Sequence, residues 1–212
     1  MRAIQVMEFG GPEVLKLNEV PTPRVEAGQV LVKVGAAGVN PYDTFMRAGI
    51  YYIKPQLPFT PGSDAAGIVE AVGMGVQSLK PGERVYTART ITGAYADYSL
   101  TLEAQAQKLP HNISFEQGAG IWVPYGGAYH AIHHEAKVRV ADTVLVHGAS
   151  GGVGLASVQM LHAMGCAVFG TASSQAGLDL AKREGAWQVF NHGKAGYTDE
   201  IMEATNGRAV RS

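Results

Sequence analysis

Cysteine is almost absent from this sequence, which has a single cysteine, Cys166, among 212 residues. One cysteine excludes an intramolecular disulfide and any metal site built from several cysteines. No apolar run approaches the roughly 20 residues that a membrane-spanning helix needs. The first residues alternate in character and do not form the apolar core of a signal peptide. We therefore expect a cytoplasmic protein with no membrane partner.

Net charge is also nearly absent. The 17 lysines and arginines nearly balance the 18 aspartates and glutamates, which leaves a formal net charge of -1. This balance gives no electrostatic reason to expect nucleic acid as a partner. The hydrophobic content of 46% is ordinary for a globular protein, and the length suits one large domain or two small ones.

Glycine is plentiful, with 27 residues, and the pattern between the glycines divides the chain. Up to about Leu109, short β-branched bursts separated by Gly and Pro predict an all-β barrel or sandwich. Residues 115–138 predict two short helices with a break at Pro124. From Asp142 onward, strands and helices alternate, as in a parallel sheet with crossover helices. We predict a β-rich domain over residues 1–123 and a second domain over 124–212, with strands at Thr143–His147, Ala167–Thr171 and Val189–Asn191.

The most specific local signal is an apolar strand that runs directly into a glycine-rich turn and then a helix, over residues 144–164. The turn places Ala149 where a dinucleotide fingerprint has its first glycine, followed by Gly151 and Gly154. Glycines allow close approach of the backbone to a pyrophosphate, and the helix N-terminus offers free N–H groups. The alternative is a tight structural turn; the strand before it and the second strand after it favour a dinucleotide. The predicted cofactor-binding residues of the turn are Ala149, Ser150, Gly151, Gly152, Val153 and Gly154, with Val153 also assigned to the buried face of the helix.

The end of the next strand indicates which dinucleotide is preferred. A site for NAD usually places Asp or Glu there to bind the ribose hydroxyls, about 20 residues after the fingerprint. This chain has Ser173 and Ser174 and no carboxylate. Small hydroxyl side chains leave room and donors for a 2′-phosphate, so NADPH is the predicted cofactor.

Several separated motifs together resemble a known family. They are residues 9–15 (FGGPEVL), 38–41 (GVNP), 61–67 (PGSDAAG) and 147–154 (HGASGGVG). In this order they are similar to quinone oxidoreductases of the zeta-crystallin type, in the medium-chain dehydrogenase/reductase superfamily, from Met1 to about Ala204. The resemblance implies a GroES-like substrate domain, a Rossmann cofactor domain and NADPH-dependent reduction of quinones between them.

The resemblance also implies the zinc-free branch of the superfamily. Zinc-using relatives place a cysteine near Asn40 and a His-Glu pair near Gly62 and Ser63, and this chain has neither. A catalytic zinc generally needs three protein ligands. A rival cluster of His130, His133 and His134 has helical spacing but no third converging ligand, so we expect a solvated helix face and no metal.

Hydride transfer from the nicotinamide leaves the protein to position the acceptor and exclude water. The predicted catalytic residues are Asn40, Asp43 and Tyr51, with the Asn40 amide orienting a quinone oxygen or the nicotinamide amide. The alternatives are that Asn40 forms a turn before Pro41 and that Tyr51 is a rim aromatic.

The chain departs from the family pattern at four positions. Phe45 stands where relatives often have Tyr, Gly127 where they often have Thr, and Gly177 where some bacterial members have Lys. His192 replaces Tyr, and we expect it to reach the 2′-phosphate region. These departures affect substrate and cofactor affinity more than the fold.

The length is the largest departure. A doubly wound domain has six strands, whereas residues 143–212 have room for three, and residues 206–212 end where relatives enter a fourth. We therefore expect a truncated product that is less active and less stable than a full-length version. The expected function is reduction of a small-molecule quinone or related electrophile. Reduction of activated enoyl double bonds and a non-catalytic nucleotide-binding module remain alternatives, and a homo-oligomer is compatible with the sequence.

Overall fold

The structure is a computed structural model that describes residues 1–207; the last five residues, with most of the predicted 206–212 ending, lie outside that part. The chain divides into two compact units between Val123 and Pro124. The strands of the first unit are β1 (Arg2–Val6), β2 (Leu15–Glu19), β3 (Gln29–Ala37), β4 (Ala65–Val72), β5 (Arg84–Thr87), β6 (Tyr98–Leu102) and β7 (Ala106–Lys108). Its helices are α1 (Pro41–Ala48) and α2 (Phe115–Ala119), with 3₁₀ turns at Pro12–Val14 and Glu103–Gln105.

The division falls within α3 (Trp122–Tyr129), which continues as a π-helical segment at His130–Glu135. The second unit then contains β8 (Thr143–Val146), α4 (Gly152–Ala163), β9 (Ala167–Ala172), α5 (Gln175–Arg183), β10 (Gln188–Asn191) and α6 (Tyr197–Ala204). None of the helices described in residues 1–207 combines the length and the apolar character of a membrane span.

The first unit is built on an antiparallel sheet with the order β6-β3-β4-β5-β7, beside a hairpin of β1 and β2. Its inner face is filled by fully buried valines, including Val30, Val32 and Val85. Each such side chain contributes roughly 1.5–3 kcal/mol through burial. The predicted β-rich domain is confirmed, with an open five-stranded sheet where we predicted a barrel or sandwich.

A helix interrupts the first unit where the sequence predicted strands alone. α1 begins at Pro41 and ends at Gly49, whose φ of 71° provides the left-handed C-terminal cap. Proline fits the first helical position because its missing N–H would have no helical acceptor there. The alternative of a turn before Pro41 is wrong, since Asn40 is the residue that caps the start of this helix.

The second unit has a parallel sheet in the order β10-β9-β8, with α4 and α5 as the crossover helices. β9 is central and almost entirely buried, which explains its continuous run of small and apolar residues. The three predicted strands are confirmed to within a residue or two. Among the described residues, the fold is a GroES-like unit followed by part of a Rossmann-type sheet.

Two local predictions were wrong. The break between the helices lies at Gly120 and Ile121, and Pro124 lies in the first turn of α3, where it costs no hydrogen bond. Val153 was assigned to the buried face of α4 but is 46% exposed, because the helix turns Ala156, Val158 and Leu161 toward its core.

Cys166 lies just before β9 and is buried in the core of the second unit. Its thiol donates a hydrogen bond to the carbonyl of Arg139 at 3.3 Å. Burial raises the pKa of this thiol above its ordinary value, so the neutral form is favoured.

Candidate active site and dinucleotide cradle

A cavity of about 440 Å³ lies within the first unit, which is the size of a small-molecule site. It is bounded by α1, the loop that follows it, the segment before β4 and the segment after β5. Aromatic rings line much of it, and the rings of Tyr51 and Tyr52 lie 4.5 Å apart between centroids. The polar and aromatic lining includes Tyr42, Asp43, Tyr51, Ser63, Arg89 and Trp122.

The structure brings the three predicted catalytic residues into one region but gives them different positions. Asp43 and Tyr51 line the cavity, whereas Asn40 lies behind it as the residue that precedes α1. The backbone N–H of Asn40 donates to Asp43 Oδ2 at 2.9 Å, which stabilises the start of the helix. The side-chain amide of Asn40 donates to Asp64 Oδ2 at 3.1 Å.

Asp64 is a site residue that our sequence reasoning missed. It is 1% exposed and accepts hydrogen bonds from Asn40 Nδ2, the backbone N–H of Val123 and the Ser63 hydroxyl. A signal was available in the sequence: Asp64 is a carboxylate immediately before the apolar residues of β4. A charge next to a buried strand needs partners, and those partners come from distant segments that the pattern does not reveal.

The two buried carboxyl groups have perturbed acidity. Burial raises the pKa of Asp64 above its ordinary value, although its three hydrogen bonds oppose the rise. Burial likewise raises the pKa of Asp43, and the charge of Asp64 adds to that rise. Both groups therefore hold a proton to a higher pH than a solvated carboxyl group does.

Hydroxyl groups connect these carboxylates to the cavity. The Tyr42 hydroxyl is hydrogen-bonded to the Ser63 hydroxyl, and Ser63 donates to Asp64 Oδ1 at 3.2 Å. Tyr95 donates to Asp43 Oδ2 at 3.1 Å. Burial raises the pKa of Tyr42 to about 12, so its hydroxyl stays protonated at neutral pH. The result is a connected set of groups that can hold a proton beside the cavity.

The glycine-rich turn of the second unit connects β8 to α4, as predicted. Gly148, just after β8, has a φ of 64°, and the N–H of Gly151 donates to its carbonyl at 2.9 Å. A Cβ on Gly154 would lie 2.1 Å from that same carbonyl oxygen, so only glycine allows the helix to pack this closely on the turn. Gly154 therefore fixes the geometry of the turn.

The same turn has open space where a ligand could approach. A Cβ on Gly151 would meet only the Gly148 carbonyl oxygen, at 3.4 Å, and both Gly151 and Gly152 are exposed. The first N–H groups of α4 have no intrahelical acceptors and carry the positive end of the helix dipole. Exposed glycines at an open helix N-terminus are the arrangement that a dinucleotide pyrophosphate requires, so these residues fit the predicted cofactor.

Thr171 links the turn to the predicted ribose region. Its hydroxyl oxygen lies 3.2 Å from the Gly148 nitrogen, which donates to it, and 3.0 Å from Nδ1 of His192. His192 is exposed, so its Nε2 is the nitrogen available to a ligand. Ser173 and Ser174 are also exposed at the end of β9, and the Ser174 hydroxyl caps α5 by accepting from the Gly177 N–H at 3.2 Å.

The predicted departures at Gly177 and Phe45 have different surroundings. A Cβ on Gly177 would lie 2.8 Å from Ser150 Oγ, so a side chain there would require the Ser150 side chain to shift. Phe45 is exposed on α1.

In the rival histidine cluster, His130 Nε2 pairs with Glu135 Oε1 at 3.1 Å. Across residues 1–207, no group of three or more His, Cys, Asp or Glu side chains is arranged to hold a metal ion.

Comparison with known sequences agrees with this geometry. The sequence family described as the alcohol dehydrogenase GroES-like domain matches residues 26–138, more than half of the chain. The chain belongs to this family. A second family, described as zinc-binding dehydrogenase, matches residues 152–212.

Named relatives and solved structures narrow the comparison. The chain is 49% identical to the quinone oxidoreductase of Rattus norvegicus over 99% of its own length and 64% of the relative. The structure of Escherichia coli quinone oxidoreductase complexed with NADPH matches with a TM-score of 0.90 and 36% identity, over 100% of this chain and 64% of that one. The structure of an NAD-dependent alcohol dehydrogenase matches with a TM-score of 0.94 and 31% identity, over 99% of this chain and 69% of that one. This member of the family thus spans a little under two thirds of the length of the quinone oxidoreductases it resembles.

Proposed function

We propose that this chain carries the site of a zinc-independent reductase that transfers reducing equivalents from NADPH to a quinone. The observation that carries the proposal is the 49% identity to a quinone oxidoreductase along nearly the whole chain. The cavity of the first unit supports it, since aromatic rings and hydroxyl groups suit a planar acceptor with carbonyl oxygens. In this proposal residues 1–123 hold the acceptor and residues 124–212 contribute the dinucleotide site.

When bound, NADPH supplies a hydride, and complete reduction of a quinone also needs a proton. We assign that proton to the hydroxyls of Tyr42 and Ser63, which line the cavity and are hydrogen-bonded to each other. Ser63 Oγ also lies 3.2 Å from Asp64 Oδ1; a protonated Asp64, which its raised pKa favours, would donate to Ser63 and leave the Ser63 proton free to be donated to Tyr42. A proton leaving the Tyr42 hydroxyl for an acceptor oxygen would be replaced from Ser63 and then from Asp64.

The remaining predicted residues take supporting parts in this proposal. Tyr51 lines the cavity and would pack against the acceptor ring. Asn40 would act through Asp64, because its side-chain amide is engaged there, and Asp43 would hold the start of α1. Asn40 is thus proposed as a positioning residue.

For the cofactor we propose the residues of the glycine turn, Ala149 to Gly154, as the pyrophosphate contacts. Ser173, Ser174 and the free Nε2 of His192 would contact the 2′-phosphate. The absence of a carboxylate from residues 173–175 supports NADPH over NADH, because no negative side chain would oppose the phosphate.

The test combines binding with turnover. NADPH and NADH are titrated by fluorescence, and NADPH consumption is then followed with a panel of quinones and enoyl compounds. Quinone-dependent consumption that is lost in Ser63→Ala supports the proposal. Consumption with enoyl compounds alone would make the chain an enoyl reductase, and binding without any turnover would make it a nucleotide-binding module. Equal affinity for the two nucleotides would contradict the preference for NADPH.

A further inference from the structure

Arg89 has the most unusual backbone of the residues that line the cavity. Its φ is 130°, whereas the other non-glycine residues with positive φ in residues 1–207 have values between 49° and 66°. Those smaller values lie near the left-handed helical region, and Arg89 lies far outside it. A side chain in such a conformation costs roughly 1–3 kcal/mol and persists only when the surroundings enforce it.

Hydrogen bonds on both sides hold this segment in place. The buried Thr101 donates from its hydroxyl to the Arg89 carbonyl at 2.8 Å. The next residue, Thr90, donates from its hydroxyl to the Gly62 carbonyl at 2.8 Å. Contacts to β6 and to the segment before β4 therefore fix the backbone at Arg89, and with it the position of the Cα atom that carries the Arg89 side chain.

Among residues 1–207, the guanidinium of Arg89 has no protein partner of opposite charge. Within the described part of the chain it forms no ion pair and donates no hydrogen bond. It lines the cavity together with Tyr51, and its charge opposes the rise that burial and Tyr52 cause in the pKa of Tyr51. The cavity thus combines aromatic surfaces with an exposed, unpaired cation.

We infer that the site selects acceptors that are planar and carry an anionic substituent, and that Arg89 is the specificity-determining residue that binds this substituent. The inference rests on the proposed function, because it names the class of quinone that the same cavity takes. Guanidinium binds a carboxylate or sulfonate through two parallel hydrogen bonds, which fixes orientation as well as affinity. An anionic group at Arg89 would leave the ring among Tyr42, Tyr51 and Trp122.

The inference is tested with a matched pair of ligands, 1,4-naphthoquinone and its 2-sulfonate. Trp122 lines the cavity and the chain has only one other tryptophan, so quenching in a Trp187→Phe background reports binding without cofactor or turnover. We expect the sulfonate to bind at least roughly tenfold more tightly than the neutral quinone, as charged hydrogen bonds allow. Salt at about 0.5 M should reduce the difference.

Three variants separate ligand binding from backbone strain. Arg89→Lys should keep part of the preference for the sulfonate over the neutral quinone, and Arg89→Gln should remove that preference. Arg89→Gly should also remove the preference but raise the melting temperature, since glycine adopts a φ of 130° without strain. Equal binding of both ligands to the parent protein would overturn the inference. Binding of neither ligand would instead overturn the proposed function.

Discussion

Asp64 occupies an unusual position for a carboxylate, since it is almost completely buried without a cation among its hydrogen-bonding partners. Its donors are neutral, so they stabilise the charge only partly, and its raised pKa reflects that balance. Burial also raises the pKa of the neighbouring Asp43. Each group binds its proton more tightly in the folded protein than in the unfolded chain.

This difference predicts a particular dependence of stability on pH. The stabilising contribution of each carboxyl group is complete below its ordinary pKa of about 4 and is lost as the pH rises through the raised folded-state pKa. Asp64→Asn removes one of the two groups. We expect its free energy of unfolding to fall less between pH 4 and pH 8 than that of the parent, measured by urea unfolding. Parallel profiles would contradict the assigned direction for Asp64.

The same substitution tests the proton path. An amide can keep its oxygen toward Asn40 and Val123 and donate from its nitrogen to Ser63, so the fold should be retained. Ser63 would then have no proton supply from residue 64. Quinone turnover should fall by roughly 100-fold, the lower end of what a positioned proton donor contributes. Unchanged turnover would exclude Asp64 as the proton store.

At the level of elements, two glycines of the turn before α4 have different roles: Gly151 leaves space for the cofactor, and Gly154 allows the helix to pack closely on the turn. Gly151→Val places methyl groups in open space that a pyrophosphate would occupy, and the extended backbone there accepts valine. We expect it to abolish NADPH binding with little change in melting temperature. Gly154→Ala places Cβ against the Gly148 carbonyl and should lower the free energy of unfolding by about 1–3 kcal/mol. NADPH titration and urea unfolding of both variants check this, and a stable Gly154→Ala would contradict it.

The C-terminal cap of α1 gives a second element-level prediction. Alanine at Gly49 would have an unfavourable φ of 71° and a Cβ 2.7 Å from the Phe9 ring. Gly75→Ala is the matched control, since its φ of 88° is also positive but nothing lies within 4 Å of the added atom. We expect Gly75→Ala to cost about 1 kcal/mol and Gly49→Ala clearly more. Equal losses in urea unfolding would mean that the Phe9 contact relaxes freely.

The elements also show how far the sequence could be interpreted. β8, β9 and the turn after β8 were predictable because a short apolar run followed by glycines is a local pattern. α1 was missed because an Asn-Pro pair can begin either a turn or a helix. The choice depends on whether Asp43 accepts a hydrogen bond from the Asn40 backbone N–H, as it does here. The strain at Arg89 was not predictable, since it depends on Thr101 in a distant strand.

For the whole molecule, the expectation that the protein binds no zinc can be tested directly by measuring its metal content. The described residues offer no group of three ligating side chains, even though one of the matching families is named for zinc. We expect purified protein to contain no stoichiometric zinc by elemental analysis, and chelators to leave its activity unchanged. Zinc near one equivalent would contradict the assignment and return attention to the histidines at His130–Glu135.

Under the proposed function, in which the chain would bind quinones, the buried thiol of Cys166 has a chemical consequence. Quinones are electrophiles that alkylate exposed thiolates. The single cysteine of these 212 residues is buried and kept neutral by its raised pKa, so the nucleophile that a quinone attacks most readily is withheld. Under the proposed function, the chain resists inactivation by its own substrate.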